Sequence, residues 1–319
     1  MYNCGEIVAK VQVLSQHVND PDYAAKILTW VNLGQDFACN YYDFWLELQS
    51  IYAFSSVSGA EKYYLPSNFD KPTRLFDYTN NNKLSWITRE AYVDANTASV
   101  SSGATGQPQY VSLYGVSAVA FENSGIFTVQ VKSSSNSDNG SITIRVEGWL
   151  DSAKTLLGHE DIVISTSSPI TYVAGANSYY GLTRIVKSDD TVGYVTIADA
   201  SGTPNILATI APYERQSRYP VLYLGLIPNA VINYRIFYKQ RIHRMANNND
   251  YPFTDIDDFL ICYATSFAFQ EEKEATGRAD TMMKTAIAFL DKAVQNQMAK
   301  MGTDYQKKFV PSTSQAHRH

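Results

Sequence analysis

Residues Pro21–Leu48 read PDYAAKILTWVNLGQDFACNYYDFWLEL, and the fold turns on this stretch. Its large residues recur at helical spacing: Ala24, Ile27, Leu28, Val31, Ala38, Tyr41 and Trp45 fall on one broad stripe. Asp20-Pro21-Asp22 is a good helix start, with an acidic side chain to accept from the free N–H groups and proline in the first turn. The burst Phe37, Tyr41, Tyr42, Phe44 and Trp45 then closes the helix with bulk that has to be buried. The expectation is a core helix of a bundle carrying Ile27, Trp30, Val31, Tyr41 and Trp45.

Outward from this helix, both ends of the chain are helical in pattern. Ile7, Val8, Val11, Leu14 and Val18 form a stripe over residues 3–18 that stops at Asn19-Asp20-Pro21, so two helices make an antiparallel hairpin in need of further partners. Residues 256–301 supply them. Phe259, Leu260, Tyr263, Ala264, Phe267 and Ala268 mark one helix, and Ala279, Met282, Met283, Ala286, Phe289, Leu290 and Val294 a second, joined near Gly277. From Thr303 the chain reads as an extended tail.

Between the ends the period changes to two. Ile51–Phe54 and Tyr63–Pro66 look like short strands, followed by a turn or short helix at Asn68–Lys71. Arg74–Asp77 and Leu84–Ile87 then form a hairpin across Asn80-Asn81-Asn82. From about 120 to 219, alternating runs at 127–131, 142–146, 162–164, 183–186, 193–197 and 206–210 are separated by Ser/Asn/Gly/Asp turns, the signature of an antiparallel β-sandwich. Longer strands return at 218–229 and 230–242, the second alternating between Val231, Asn233, Arg235, Phe237, Lys239 and Ile232, Tyr234, Ile236, Tyr238, Gln240.

Hydrophobic residues at 45% and charged residues at 18% describe an ordinary folded chain. The net charge of −5 leaves no electrostatic footprint for wrapping nucleic acid. The 23 tyrosines lean towards strands and protein interfaces. Cys4, Cys39 and Cys262 have no metal-ligand spacing and read as free, mostly buried thiols made in a reducing compartment. The N-terminal residues lack signal-peptide character, no run is long and apolar enough for a membrane span, and a soluble protein is expected.

Several pieces, in order, carry a resemblance. Ile27-Leu28, Trp30-Val31-Asn32, Gly34-Gln35 and Tyr42-Asp43-Phe44-Trp45 come first. Tyr63, Leu65-Pro66, Phe69, Lys71-Pro72, Arg74-Leu75, Asp77, Leu84 and Trp86-Ile87-Thr88 follow, then Gly106, Pro108 and Tyr110, then Leu222-Tyr223-Leu224 with Pro228, and Asp255–Asp258 before the last helices. Together they resemble the head-to-tail adaptors (connector or head-completion proteins, the tail tubular protein A group) of tailed bacteriophages, over roughly residues 1–119 and 220–305. The resemblance implies an α+β fold: a helical bundle with a small antiparallel β element at 1–119 and 220–302, an inserted immunoglobulin-like β-sandwich at 120–219, and a flexible tail at 303–319. The strand after Gly106–Tyr110 would pair with the Leu222 strand, so the insertion lies between two partners and costs little loop entropy.

By the same resemblance the protein is a virion component made in the host cytoplasm and needs no cofactor. It would form a dodecameric homo-oligomeric ring beneath the portal protein, extend the DNA channel and hold tail or nozzle proteins. DNA would meet it only by passage through the lumen, and no membrane is involved. A C-terminal segment with Tyr305, Phe309, Val310 and Pro311 would dock into the portal. Lys239, Arg241, His243 and Arg244 form a basic cluster, read as solvated strand-end charge or as a face towards the lumen or an acidic partner.

Candidate chemistry is thin. His159-Glu160-Asp161, placed at a sandwich turn, has no second histidine cluster to complete a metal or acid–base site, and reads as a polar strand start. Asp255, Asp257 and Asp258 suit a helix N-terminus better than a cation loop, since the EF-hand glycine and terminal glutamate are missing. His17, His243, His317 and His319 are scattered, and GxSxG, P-loop and GxGxxG motifs are lacking, so no enzyme is expected. Rival readings are a tail-completion protein, a cell-wall hydrolase, and a glycan-binding decoration protein whose Trp149, Tyr179 and Tyr180 stack on sugar rings.

Overall fold

The computed structural model describes residues 1–102, 105–121, 125–138, 140, 142–165, 168–200, 203–271 and 276–301. The chain opens with α1 (Cys4–Leu14) and α2 (Pro21–Tyr41), then a single 3₁₀ turn at Leu46–Leu48. Short strands follow: β1 (Gln49–Ser55), β2 (Lys62–Tyr64), β3 (Phe69–Asp77), β4 (Asn82–Lys83) and β5 (Ser85–Trp86). Helix α3 (Arg89–Ser102) leads to β6 (Thr105–Gly106) and β7 (Tyr110–Ser117). Next are β8 (Phe127–Ser133), β9 (Thr143–Trp149), β10 (Leu157–Val163), β11 (Val173–Tyr179), β12 (Gly181–Lys187), β13 (Val195–Asp199) and β14 (Ile206–Ile210). The chain closes with β15 (Tyr219–Gly225), β16 (Ile227–Pro228), β17 (Asn233–Gln240), α4 (Asp257–Glu271) and α5 (Thr276–Lys300).

The expected α+β class is what the described residues form: five helices and several small, mostly antiparallel sheets. By compactness the chain divides into residues 1–49 with 241–319, and residues 50–240.

In the helical unit, α1, α2, α4 and α5 share one core that includes Ile7, Val11, Ile27, Val31, Phe259, Leu260, Leu290 and Val294. Each fully buried aliphatic side chain of this kind contributes about 1.5–3 kcal/mol relative to exposure. Helix starts are as their sequences dictate. Asn3 and Glu6 form a reciprocal capping box on α1, and Asp20 accepts from the Asp22 and Tyr23 N–H groups at 3.1 Å each. Helix α2 ends earlier than expected. Tyr42 is extended at φ −139°, and the buried Trp45 indole N–H donates to the Ala38 carbonyl at 2.9 Å, satisfying an acceptor the helix end would leave open. Trp45 is therefore core, but from a loop beyond the helix. Ile27 and Val31 are buried in α2 as expected and Trp30 is half-buried against the core, whereas Tyr41 is 43% exposed, its hydroxyl donating to Asp291 at 2.7 Å. In α5, Phe289 likewise faces outwards.

In the β unit, one small sheet has the order β1-β17-β3-β4 and another β2-β15-β7-β5. They share a core of Leu65, Phe69, Leu75, Leu84, Val111, Leu222, Leu224, Ile236 and neighbours. The Asn turn is where the sequence put it, with Asn81 left-handed at φ 55°, but only Asn82 and Lys83 pair with β3. Ser85 and Trp86 leave to pair in parallel with β7. The expected turn or helix at Asn68–Lys71 is instead the beginning of β3.

Strands β7 and β15 pair antiparallel, Tyr219 opposite Ser117 and Leu222 opposite Leu113, so β8–β14 all lie between two residues that face each other. These seven strands form sheets of order β10-β9-β12 and β11-β8-β13-β14 around a single hydrophobic cluster. Alternation puts Val129 and Val131 of β8, Ile144 and Val146 of β9, and Val195 and Ile197 of β13 into that cluster. Strand β11 escaped the sequence reading, because VAGANSY lacks a bulky alternating face.

Candidate interaction surfaces

The motif residues of α2 prove to be a clamp. The Asn32 side-chain amide donates to the Met245 carbonyl at 2.9 Å and its oxygen accepts from the Met245 N–H at 2.8 Å. Buried Gln35 accepts from the Phe253 N–H at 3.2 Å. Gly34 lets α4 approach: a Cβ there would lie 2.9 Å from Leu260 and 3.0 Å from Tyr263. The segment entering α4 is thus tied to α2 by side-chain amides, which replace the strand partner its backbone lacks. A second tie sits in the β unit. The fully buried Asp77 carboxylate accepts from the Asn80 N–H at 2.8 Å, the Asn80 amide at 2.7 Å and Gln107 at 3.2 Å, joining the Asn turn to the Gly106–Tyr110 segment.

The expected basic cluster is not one surface. Lys239 is buried in β17, where register shifts at Phe237/Tyr238 and Lys239/Gln240 break the alternation that would have turned it outwards. His243 and Arg244 are exposed and Arg241 half-buried, all three in the helical unit, and Arg244 lies 3.5 Å from Asp36. The tail residues Tyr305, Phe309, Val310 and Pro311, with His317 and His319, lie outside the described residues. Exposed apolar residues mark α2, where Leu33, Phe37 and Tyr41 recur every fourth position. Phe37 also stacks on Phe259 and approaches Tyr263 of α4.

His159-Glu160-Asp161 is not a turn; it lies inside β10. Glu160 accepts from the Ala176 and Asn177 N–H groups at the irregularity of β11, and Asp161 pairs with Arg145 at 2.8 Å. That pairing holds the Asp161 carboxyl below its ordinary range. Asp257 and Asp258 occupy the first turn of α4, and Asp257 accepts from the Tyr2 N–H, while burial pushes its carboxyl up. Among the described residues no group of three His, Cys, Asp or Glu side chains is placed to hold a metal ion, and no helix is long and apolar enough to cross a membrane. The three cysteines are free, and burial pushes the Cys4 thiol up to about 11.

Of the three aromatic residues of this region singled out in the sequence, Tyr179 is fully buried core, its hydroxyl pushed up to about 12 by burial. Trp149 and Tyr180 remain half-exposed and line a cavity of about 160 Å³ together with Phe121, Phe127 and Lys154. A second, shallower hollow of about 430 Å³ lies over β1 and β17, where Arg235 stacks on Tyr78 with 4.0 Å to the ring centre.

These features describe an α+β protein in which the terminal helices share a core and two paired strands bracket seven others. The family model of the SU10 adaptor protein matches residues 2–132. Over that stretch, which contains the α2 side of the clamp, the Asp77 turn and the Gly106–Tyr110 segment, the chain is similar to a family of phage adaptors, as the motif resemblance implied. The family's name describes a structural, not a catalytic, role. No curated protein matches the chain.

Proposed function

We propose that the chain is a head-to-tail adaptor of a tailed phage. Copies dock beneath the portal protein, close into a dodecameric ring that extends the DNA channel, and present the platform on which tail or nozzle proteins assemble. The SU10 adaptor match over residues 2–132 carries this reading, supported by the α2 side of the clamp and the Asp77 turn, which lie within the matched stretch. Residues 120–219 form an immunoglobulin-like sandwich inserted in the adaptor core of 1–119 and 220–302, and face outwards from the ring. Residues 303–319, through Tyr305, Phe309, Val310 and Pro311, clasp the portal. Arg241, His243 and Arg244 contribute to the lumen or partner face. The net charge of −5 suits a channel wall that DNA passes without sticking, since phosphate binding requires clustered cations.

Capture of the full chain by immobilised portal and by immobilised tail proteins, in separate experiments, tests this. Retention on portal, lost on truncation after Met301, is expected. Retention on tail proteins alone would replace the adaptor with a tail-completion protein.

A further inference from the structure

We infer that the end of the three-stranded sheet carries a binding site for a single acidic sugar ring. Trp149, the last residue of β9, sits in register between Leu157 of β10 and Gly181 of β12, so the three share one face. Gly181 leaves one flank of the indole bare. A Cβ there would lie 3.7 Å from Trp149 Cδ1, so any side chain would rest against the ring. Tyr180 is fixed beside it, its N–H donating to the Trp149 carbonyl at 2.8 Å. Half-exposed aromatic rings around one concavity suit the C–H faces of a pyranose, which stack on π-systems while the hydroxyls stay wet.

The charge comes from the adjoining loop. Lys154 borders the cavity from a left-handed position at φ 56° and makes no ion pair among the described residues. Its loop is held by Asp151, whose carboxylate accepts from the Thr155 and Leu156 N–H groups at 2.9 and 2.7 Å and from the Thr155 hydroxyl at 2.7 Å. A cation on so tied a loop, beside stacking rings, recognises a carboxylate-bearing sugar at little ordering cost. The cavity of about 160 Å³ is smaller than the roughly 300–1,000 Å³ of drug-sized sites, and so fits one ring.

The site concerns the sandwich and stands independently of the adaptor reading. The test is calorimetric titration of the full chain with an oligogalacturonate and with its neutral galactose counterpart. The acidic oligomer is expected to bind, and the neutral one more weakly by about tenfold, the effect of one charge-assisted contact. Gly181→Val, which covers the indole and adds no charge, is expected to weaken both by at least about tenfold. Lys154→Gln, on an exposed loop, is expected to abolish only the acidic preference. No binding of either oligomer by the wild type at millimolar concentration, or binding that both variants leave unchanged, overturns the proposal.

Discussion

The helical unit and the seven-stranded region hold themselves together by different means, and the difference shows which contacts demand a particular residue and which ask only for apolar volume. In the helical unit the decisive contacts join distant parts of the sequence through particular side chains: Asn32 to Met245, Gln35 to Phe253, Gly34 against Leu260. In β8–β14 the cohesion is generic alternation around a core, tightened by polar staples that stay within the region. Buried Asp138 accepts from Ser133 and from the Val192 and Gly193 N–H groups. Buried Lys187 donates to the Thr191 hydroxyl and to the Ala211 and Pro212 carbonyls. A motif arises where a contact demands one residue type; a core between sheets asks only for apolar volume at every second position.

The largest expected effect comes from breaking the helical side. Trp45→Ala removes a fully buried side chain and opens the Ala38 carbonyl, and should cost about 3–5 kcal/mol in denaturant unfolding. Amide exchange in β8–β14 should stay slow in that variant, since these strands have a core of their own. Next comes Gly34→Val, which forces side-chain bulk against Leu260 and Tyr263 and should cost about 1–3 kcal/mol, read from the urea midpoint. Asn32→Ala strands the Met245 N–H and carbonyl, a loss of about 1–3 kcal/mol, and should speed amide exchange at Met245 first.

The smallest effect sharpens the seven-stranded side. Burial holds the Lys187 ammonium down to about 8 from its ordinary 10.5. Between those values the unfolded chain binds more protons than the folded one, so this group's contribution to stability rises with pH across that window. The Lys187→Met variant should show a smaller rise between pH 8 and 9.5 than the wild type in urea unfolding. Above that, tyrosines raised by burial, such as Tyr179 near 12, pull the other way because the unfolded chain ionises first.

Much of this division could be read from residues alone. The two helical ends and the Asn80–Asn82 turn follow from periodicity and turn chemistry, and the pairing of the Leu222 strand with the one after Tyr110 from the family resemblance. Other elements carried too little signal. Helix α3 lacks an apolar stripe, and its start shows only as the Thr88 hydroxyl accepting from the Ala91 N–H at 3.2 Å. Strand β11 is built from small residues, and His159–Asp161 looked like a turn because β10 exposes alternate positions along most of its length. Lys239 points inwards because bulges shift the register, which no count of alternation reveals. Of the sugar site, Trp149 and Tyr180 could be named in advance; the bare flank at Gly181 and the tied Lys154 loop required the strand register.

The proposed adaptor role is tested most directly by cryo-electron microscopy of the full chain mixed with a phage portal protein encoded beside it. A ring of copies beneath the portal, with residues 303–319 lodged between portal subunits, is the predicted result. A portal that stays bare at high excess of this chain would contradict it.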